Sequence, residues 1–309
     1  MRRVETIPAV RREVDAFRRA GESVALVPTM GALHAGHLEL VELAALRADR
    51  VVVSIFVNPT QFDRADDLAA YPRDLEGDEA VLRGLGSATP ALVFAPDADE
   101  LYPTRPLTSV RVAELTDGLC GATRPGHFDG VATVVTKLLN IVRPDLAVFG
   151  RKGAQQLQVV RRLVEDLDLD VEILAAPTVR EADGLALSSR NRRLGPEARA
   201  AALALPAALR AAVDAARSAR DTGRAPDRVE VLAAAERRVA ALPGVELEYL
   251  EVVDPSTLRA PDSPGGHLLV AIAAHVGSVR LIDNVEIGDR DDERRLVSAV
   301  PTEHFDREA

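Results

Sequence analysis

Val24-Ala25-Leu26-Val27-Pro28-Thr29-Met30-Gly31-Ala32-Leu33-His34-Ala35-Gly36-His37-Leu38 is the stretch that decides how this chain is read. A short apolar run gives way to a turn punctuated by Gly31 and Gly36, and the residues from His37 to Ala44 then take helical apolar spacing. The two histidines therefore straddle the start of a predicted helix. Unpaired backbone N–H groups and the positive end of the helix dipole favour a bound phosphate there, and two imidazoles on one side add hydrogen-bond donors. Two other readings stand beside this one. A histidine pair three apart binds zinc if a third ligand is supplied, but six histidines and one cysteine show no second cluster at ligand spacing. The pair can also cap and pack, although the intervening Gly36 argues for close approach of a ligand.

Working outward, short apolar runs alternate with helical patterns through the first half. Val24 to Val27, Val51 to Val57, Ala91 to Ala95, Leu146 to Phe149 and Val171 to Leu174 read as buried strands. Leu38 to Ala48, Leu75 to Leu85, Gly130 to Val142 and Gln155 to Leu167 read as amphipathic helices. This alternation predicts an α/β fold with a doubly wound parallel sheet, whose ligands bind at the carboxyl ends of the strands. Polar clusters fall at those ends: His34 and His37, then Asn58 and Gln61, then Lys152 and Gln156.

The composition changes after Pro177. Ala-rich helices are expected from Pro196 to Ala219 and from Asp227 to Leu242, followed by strands over Val245 to Val253, His267 to Ala274 and Val279 to Val285. The expected organisation is a Rossmann-like domain over 1–178 and a smaller α+β lid domain over 179–288. Residues 289–309, rich in Asp, Glu and Arg, are expected to form a mobile tail.

The 309 residues suffice for a large core, and 47% hydrophobic with 28% charged residues is ordinary for a soluble protein. A formal charge of −10 argues against a sequence-independent nucleic-acid binder, so an anionic ligand must be held by local groups. Cys120 is the single cysteine, which rules out an intramolecular disulfide. With no signal-peptide pattern and no apolar run of membrane-spanning length in view, neither a membrane nor a nucleic-acid partner is expected, and the cytoplasm is the expected location.

Residue scarcity is a further clue. Of the 38 Lys+Arg only Lys137 and Lys152 are lysine. A lysine in a glycine-bearing loop suits a phosphate, being a compact rotating charge where arginine is a planar fork, whereas Lys137 lies in an apolar helix pattern. Codon bias and chance are the competing explanation.

Five blocks together resemble the signatures of the pantothenate synthetase family: Pro28 to His37, Ile55 to Phe62, Tyr71-Pro72-Arg73, Gly126 to Val131 and Leu187-Ser188-Ser189-Arg190-Asn191. The His-x-Gly-His element by itself resembles the wider nucleotidyltransferase superfamily. The resemblance runs from about Thr6 to Ile287. It implies ATP-dependent ligation of pantoate and β-alanine through a pantoyl adenylate, with ATP as a substrate alongside Mg2+, no tightly bound organic cofactor, and a homodimer. It further implies that His34 and His37 act at the α-phosphate and leaving group, while Lys152, Ser188, Ser189 and Arg190 hold the outer phosphates. Met30, Gly150, Val179 and Leu187 would complete the ATP site. Gln61 and Gln156 would hold pantoate, with Met30, Phe62 and Asn58 around it, and Asp78 matches an acidic position near the metal. Each has a plainer reading: a loop hydroxyl pair beside an arginine can be a simple turn, a glutamine a structural hydrogen-bonder, a helix carboxylate a solvated group.

One block departs from the family pattern. Where Gly-Glu-Lys-Asp-aromatic-Gln-Gln is usual, this chain has Gly150-Arg151-Lys152-Gly153-Ala154-Gln155-Gln156. Gly153 replaces the acidic residue that the resemblance places on the ribose hydroxyls. That replacement motivates an alternative, a diverged paralogue that binds nucleotide but is inactive or joins a different acid and amine. Leu187 stands where methionine is usual, a volume-conserving exchange.

Overall fold

The computed structural model describes residues 1–240, 244–261 and 267–297. In chain order the elements of the first half are β1 (Arg2–Val4), α1 (Ile7–Arg19), β2 (Val24–Thr29), α2 (Ala35–Ala45), β3 (Arg50–Ile55), α3 (Ala65–Ala69), α4 (Leu75–Arg83), β4 (Leu92–Phe94), α5 (Ala98–Leu101), α6 (Leu119–Thr123), α7 (His127–Val142), β5 (Leu146–Gly150), α8 (Ala154–Asp166) and β6 (Glu172–Ala176). They are followed by α9 (Pro196–Ala201), α10 (Ala204–Asp221), α11 (Arg228–Ala240), β7 (Val245–Val253), β8 (Leu268–Val276), β9 (Val279–Ile287) and α12 (Arg290–Val297).

The chain forms two compact units. The first comprises Met1–Asp117, Gly121–Arg151 and Gln156–Ala176; the second holds Gly118–Cys120, Lys152–Gln155 and the described residues from Pro177 onward. In the first, six strands run parallel in the order β1-β4-β3-β2-β5-β6. Strand order reverses between β2 and β5, where Ala25 pairs with Leu146. A ligand crevice opens beyond the carboxyl ends of the strands at such a switch point. Val24, Ala25, Leu26 and Val27 are at most 1% exposed because helices cover both faces of a parallel sheet. Each of the larger of these side chains contributes about 1.5–3 kcal/mol by leaving water.

Two upstream elements were not part of the expected alternation. β1 is only three residues long and adds to the outer edge of β4. α1 follows a start signal readable in the sequence: Thr6 accepts from the N–H of Ala9, Pro8 occupies the first turn, and Arg18 and Arg19 occupy the last. Lys137 lies on α7 with its ammonium 5.2 Å from the centre of the Tyr102 ring, consistent with a packing role.

The second unit carries the antiparallel sheet β7-β8-β9. Its core is built from Leu205, Leu209, Ala212 and Val213 of α10, Val231 and Ala235 of α11, and the inward residues Val270, Ile272, Val285 and Ile287. The helix expected from Pro196 to Ala219 is interrupted at Ala202–Leu203 and resumes as α10 through Asp221. The predicted Asp227–Leu242 helix is observed as Arg228–Ala240, and Leu242 lies outside the described residues.

Within the tail expected to be mobile, the first part has regular structure. Residues 290–297 form α12 because Asp289 caps the N–H groups of Asp291 and Asp292, and acidic residues fill the positive first turn. The carboxylates of Asp292 and Glu293 accept from the N–H groups of Glu286 and Gly288, and Leu296 is fully buried. Charge-rich composition concealed one anchoring leucine. The remainder of that tail, 298–309, lies outside the described residues. Among the described residues no helix is long and apolar enough to cross a membrane. Leu296→Ala is expected to destabilise the protein by about 2–5 kcal/mol, measured by urea denaturation, whereas a truly detached tail would give no change.

Candidate active site

The turn after β2 is built almost wholly from side-chain acceptors. The Thr29 hydroxyl donates to the carbonyl of Ser54 at 2.8 Å and accepts from the N–H of Gly31 at 3.2 Å. The Asp78 carboxylate accepts from Ala32 N–H at 2.9 Å and from Leu33 N–H at 2.6 Å. His34 N–H donates to Nδ1 of His37 at 3.3 Å, and Gly36 N–H donates to Nδ1 of His34 at 3.1 Å. The chain needs this help because Gly31 and Ala32 both adopt left-handed backbone conformations, with φ of 79° and 51°. Holding a non-glycine residue there costs roughly 1–2 kcal/mol, while each hydrogen bond to a charged acceptor contributes roughly 1.5–3 kcal/mol, so the carboxylate prevails. A Cβ on Gly31 would lie 2.7 Å from Asp78 Oδ2, which is why glycine stands there.

His34 is the N-cap of α2, and with His37 it forms a reciprocal capping box. The two rings lie 4.1 Å apart between centroids, tilted by 36°. Since Nδ1 of each ring accepts from a backbone N–H, the proton of each neutral imidazole is on Nε2. The pair thus belongs to a class of groups that donate through Nε2 at a helix N-terminus.

Gln61 ends the short 3-10 turn Pro59–Gln61 beyond β3. Its amide nitrogen contacts Sδ of Met30 at 3.1 Å, and its amide oxygen accepts from Asn58 Nδ2 at 3.1 Å. Met30, Gln61 and Phe62 are all half-buried; Gln61 meets Met30, and Phe62 packs edge-on against Tyr71. Asn58, expected beside pantoate, is engaged by the protein itself. It is 1% exposed, its oxygen accepts from Thr60 and the Tyr102 hydroxyl, and its nitrogen also donates to the Gly130 carbonyl. It aligns Gln61. Gly130 in turn permits the close approach of α7, for a Cβ there would lie 2.3 Å from the Thr60 carbonyl oxygen.

Asp78, expected near a metal, is 5% exposed, and its two oxygens accept from the turn backbone as described. Among the described residues no group of three or more His, Cys, Asp or Glu is arranged to hold a metal ion. Two residues outside the expected set converge on the backbone of Gln61: Nδ1 of His127 lies 2.7 Å from its carbonyl oxygen, and Arg124, paired with Asp63, donates to the same oxygen. His127 sits in one of the quoted motif blocks, but nothing in the spacing tied it to Gln61.

In the second unit Lys152, Val179, Leu187, Ser188 and Arg190 are assembled by backbone contacts. The Lys152 ammonium donates to the Leu187 carbonyl at 2.9 Å, and Leu187 N–H donates to the Val179 carbonyl at 3.0 Å. Ser188 caps the 3-10 segment Ser189–Arg193, its hydroxyl accepting from Arg190 N–H. Asn191 ties this loop to Glu181 and to the Ala186 carbonyl. Asn284, absent from the expected set, donates to the backbone carbonyl of Lys152 at 2.8 Å. Arg180 and Asp283 form a two-pronged buried pair at 2.7 and 3.0 Å, and Arg180 also donates to the Asn284 carbonyl. No sequence signal links positions 132 residues apart. Gly150 ends β5 opposite Ala176, and Gln156 lies half-buried in the first turn of α8.

Burial pushes the Lys152 ammonium down to about 8; Asp283 opposes that shift, while Arg190 and Arg180 reinforce it.

The first unit thus carries paired histidines at the switch point of an α/β parallel sheet, and the second a lysine beside a serine–arginine loop. The chain belongs to the pantoate-beta-alanine ligase family, whose model matches residues 2–286. It is 48% identical to the pantothenate synthetase of Moorella thermoacetica, over 94% of this chain and all of that one. With the pantothenate synthetase of Halorhodospira halophila it shares 52% identity over 93% of this chain and 98% of that one. Among solved structures, the pantothenate synthetase of Thermus thermophilus superposes with a TM-score of 0.84 at 44% identity, covering 93% and 99% of the two chains. The pantoate-beta-alanine ligase of Francisella tularensis, described as complexed with beta-gamma ATP and beta-alanine, gives 0.72 at 31% identity, covering 93% and 97%.

The depressed Lys152 value makes a stability prediction. The unfolded chain holds this proton up to about 10.5 but the folded protein releases it near 8, so stability rises with pH between those values and is lowest below 8. In urea denaturation the Lys152→Met variant is expected to lack this rise, its advantage over the parent at about pH 7.5 shrinking by about pH 10. Parallel pH profiles would contradict a buried ammonium.

Proposed function

We propose that this chain joins pantoate to β-alanine, using ATP through a pantoyl adenylate. Family membership supports the overall reaction, and the observation that carries the mechanism is the pair of imidazoles held as Nε2–H tautomers at the switch point. In the first step a pantoate carboxylate oxygen attacks the α-phosphorus, and the bond to the bridging oxygen of pyrophosphate breaks. A carboxylate is already ionised, so no strong base is required; positioning and neutralisation of phosphate charge carry the step. In the second step the neutral amine of β-alanine attacks the acyl carbon, the acyl–oxygen bond breaks, AMP leaves with the bonding electron pair, and the amine gives up one proton to solvent water.

His34 and His37 are assigned to the α-phosphate and its bridging oxygen, and Lys152, Ser188, Ser189 and Arg190 to the outer phosphates. Gly150, Val179 and Leu187 are assigned to the nucleotide. Gln61 and Gln156 are assigned to pantoate, with Met30 and Phe62 on its apolar side. Neutral amides orient a carboxylate nucleophile without neutralising it. Magnesium supplied as MgATP would add to the neutralisation of phosphate charge assigned to Lys152 and Arg190. Family resemblance also supports a homodimer working in the cytoplasm.

Purified protein is expected to form AMP from ATP only when pantoate and β-alanine are both present, and Lys152→Ala to lower the rate of adenylate formation by at least about a hundredfold with the fold intact. Nucleotide binding without AMP would support the diverged-paralogue reading instead. Gly153→Asp is expected to lower the KM for ATP by about tenfold, the effect of one charge-assisted hydrogen bond to the ribose. An unchanged KM would show that other groups already make that contact.

A further inference from the structure

We infer that Asp78 is a positioning residue for the reaction: its carboxylate, by bridging the N–H groups of Ala32 and Leu33, sets the backbone from which His34 and His37 project. This rests on the reading that these histidines act at the α-phosphate. Three independent features converge on it. The carboxylate lies in the first turn of α4, where the helix dipole favours its charge, and it is nearly inaccessible to solvent. Both of its oxygens are committed to successive N–H groups of one turn, at 2.9 and 2.6 Å. The turn itself is shaped around it, since Gly31 has no room for a Cβ against Oδ2 and Ala32 is held in a left-handed conformation.

The consequence reaches the imidazoles by short covalent steps. Leu33, whose N–H is held, directly precedes His34, the N-cap of α2; the N–H of His34 in turn holds Nδ1 of His37. Without the carboxylate, the N–H groups of two buried residues, Ala32 and Leu33, lose their acceptor and the left-handed turn loses its compensation. The histidines would then keep their identity but lose their fixed position and tautomer. The neighbouring acid Glu79 faces Arg3 and Arg83 instead, so it offers no substitute acceptor.

The test compares Asp78→Ala and Asp78→Asn with the parent enzyme in saturating ATP, pantoate and β-alanine, with magnesium varied and 15N imidazole shifts recorded. Asp78→Ala is expected to lower kcat about a hundredfold, the penalty of misplacing reacting groups by roughly an ångström. Asp78→Asn, which keeps one acceptor oxygen, is expected to lie between. The magnesium concentration for half-maximal rate should stay unchanged, and the 15N signature of unprotonated Nδ1 at His34 and His37 should weaken in both variants. Recovery of kcat at high magnesium would overturn the inference in favour of metal binding. Unchanged kcat with unchanged imidazole shifts would overturn it outright, and loss of folding in both variants would show a purely structural carboxylate. Absence of AMP formation by the parent enzyme would instead remove the functional reading, while the imidazole shifts would still report on the turn.

Discussion

The structure depends on satisfying the backbone N–H groups of the turn between β2 and α2. This turn reverses direction through two left-handed residues, so Gly31, Ala32, Leu33, His34 and Gly36 cannot form the regular hydrogen bonds of strand or helix. Side chains of Thr29, Asp78, His37 and His34 accept in their place. The same constraint that makes the turn fold determines the tautomer of the histidines. Local folding and chemistry are therefore one arrangement, because an Nδ1 that accepts from backbone leaves its proton on Nε2.

The parallel sheet makes that turn useful. Reversal of strand order between β2 and β5 marks the place where such sheets bind ligands, and the histidine turn leaves β2 there. Lys152 follows two residues after β5 ends at Gly150. Its ammonium is held by the Leu187 carbonyl and its backbone by Asn284, so its position is set by β9 and the serine loop. An ammonium whose charge partial burial disfavours gains from any anionic neighbour, as it does from Asp283.

Roles within the site follow from how many partners each polar group already has. Gln61 is half-buried and meets Met30, whereas Asn58, three residues earlier, has its whole amide engaged by Thr60, Tyr102, Gly130 and Gln61. Spacing made the two look alike. Burial and hydrogen bonding distinguish how far each side chain is committed within the protein, and by the same criterion both oxygens of Asp78 are committed to the turn.

The sequence by itself determined the strand–helix alternation, the parallel sheet, the three strands of the second half and the polar clusters at the strand ends. These follow from apolar periodicity and from glycine placement, which are local properties. The motif blocks also carried the family. Only the tertiary structure decided what joins across long stretches of chain: Asp78 to Ala32 and Leu33, His127 to Gln61, Asn284 to Lys152 and Arg180 to Asp283. It also decided that Asp289 to Val297 caps and packs as α12, through one buried leucine among charges. Such contacts depend on which buried donors remain after the backbone has paired, and that inventory exists only once the chain has folded.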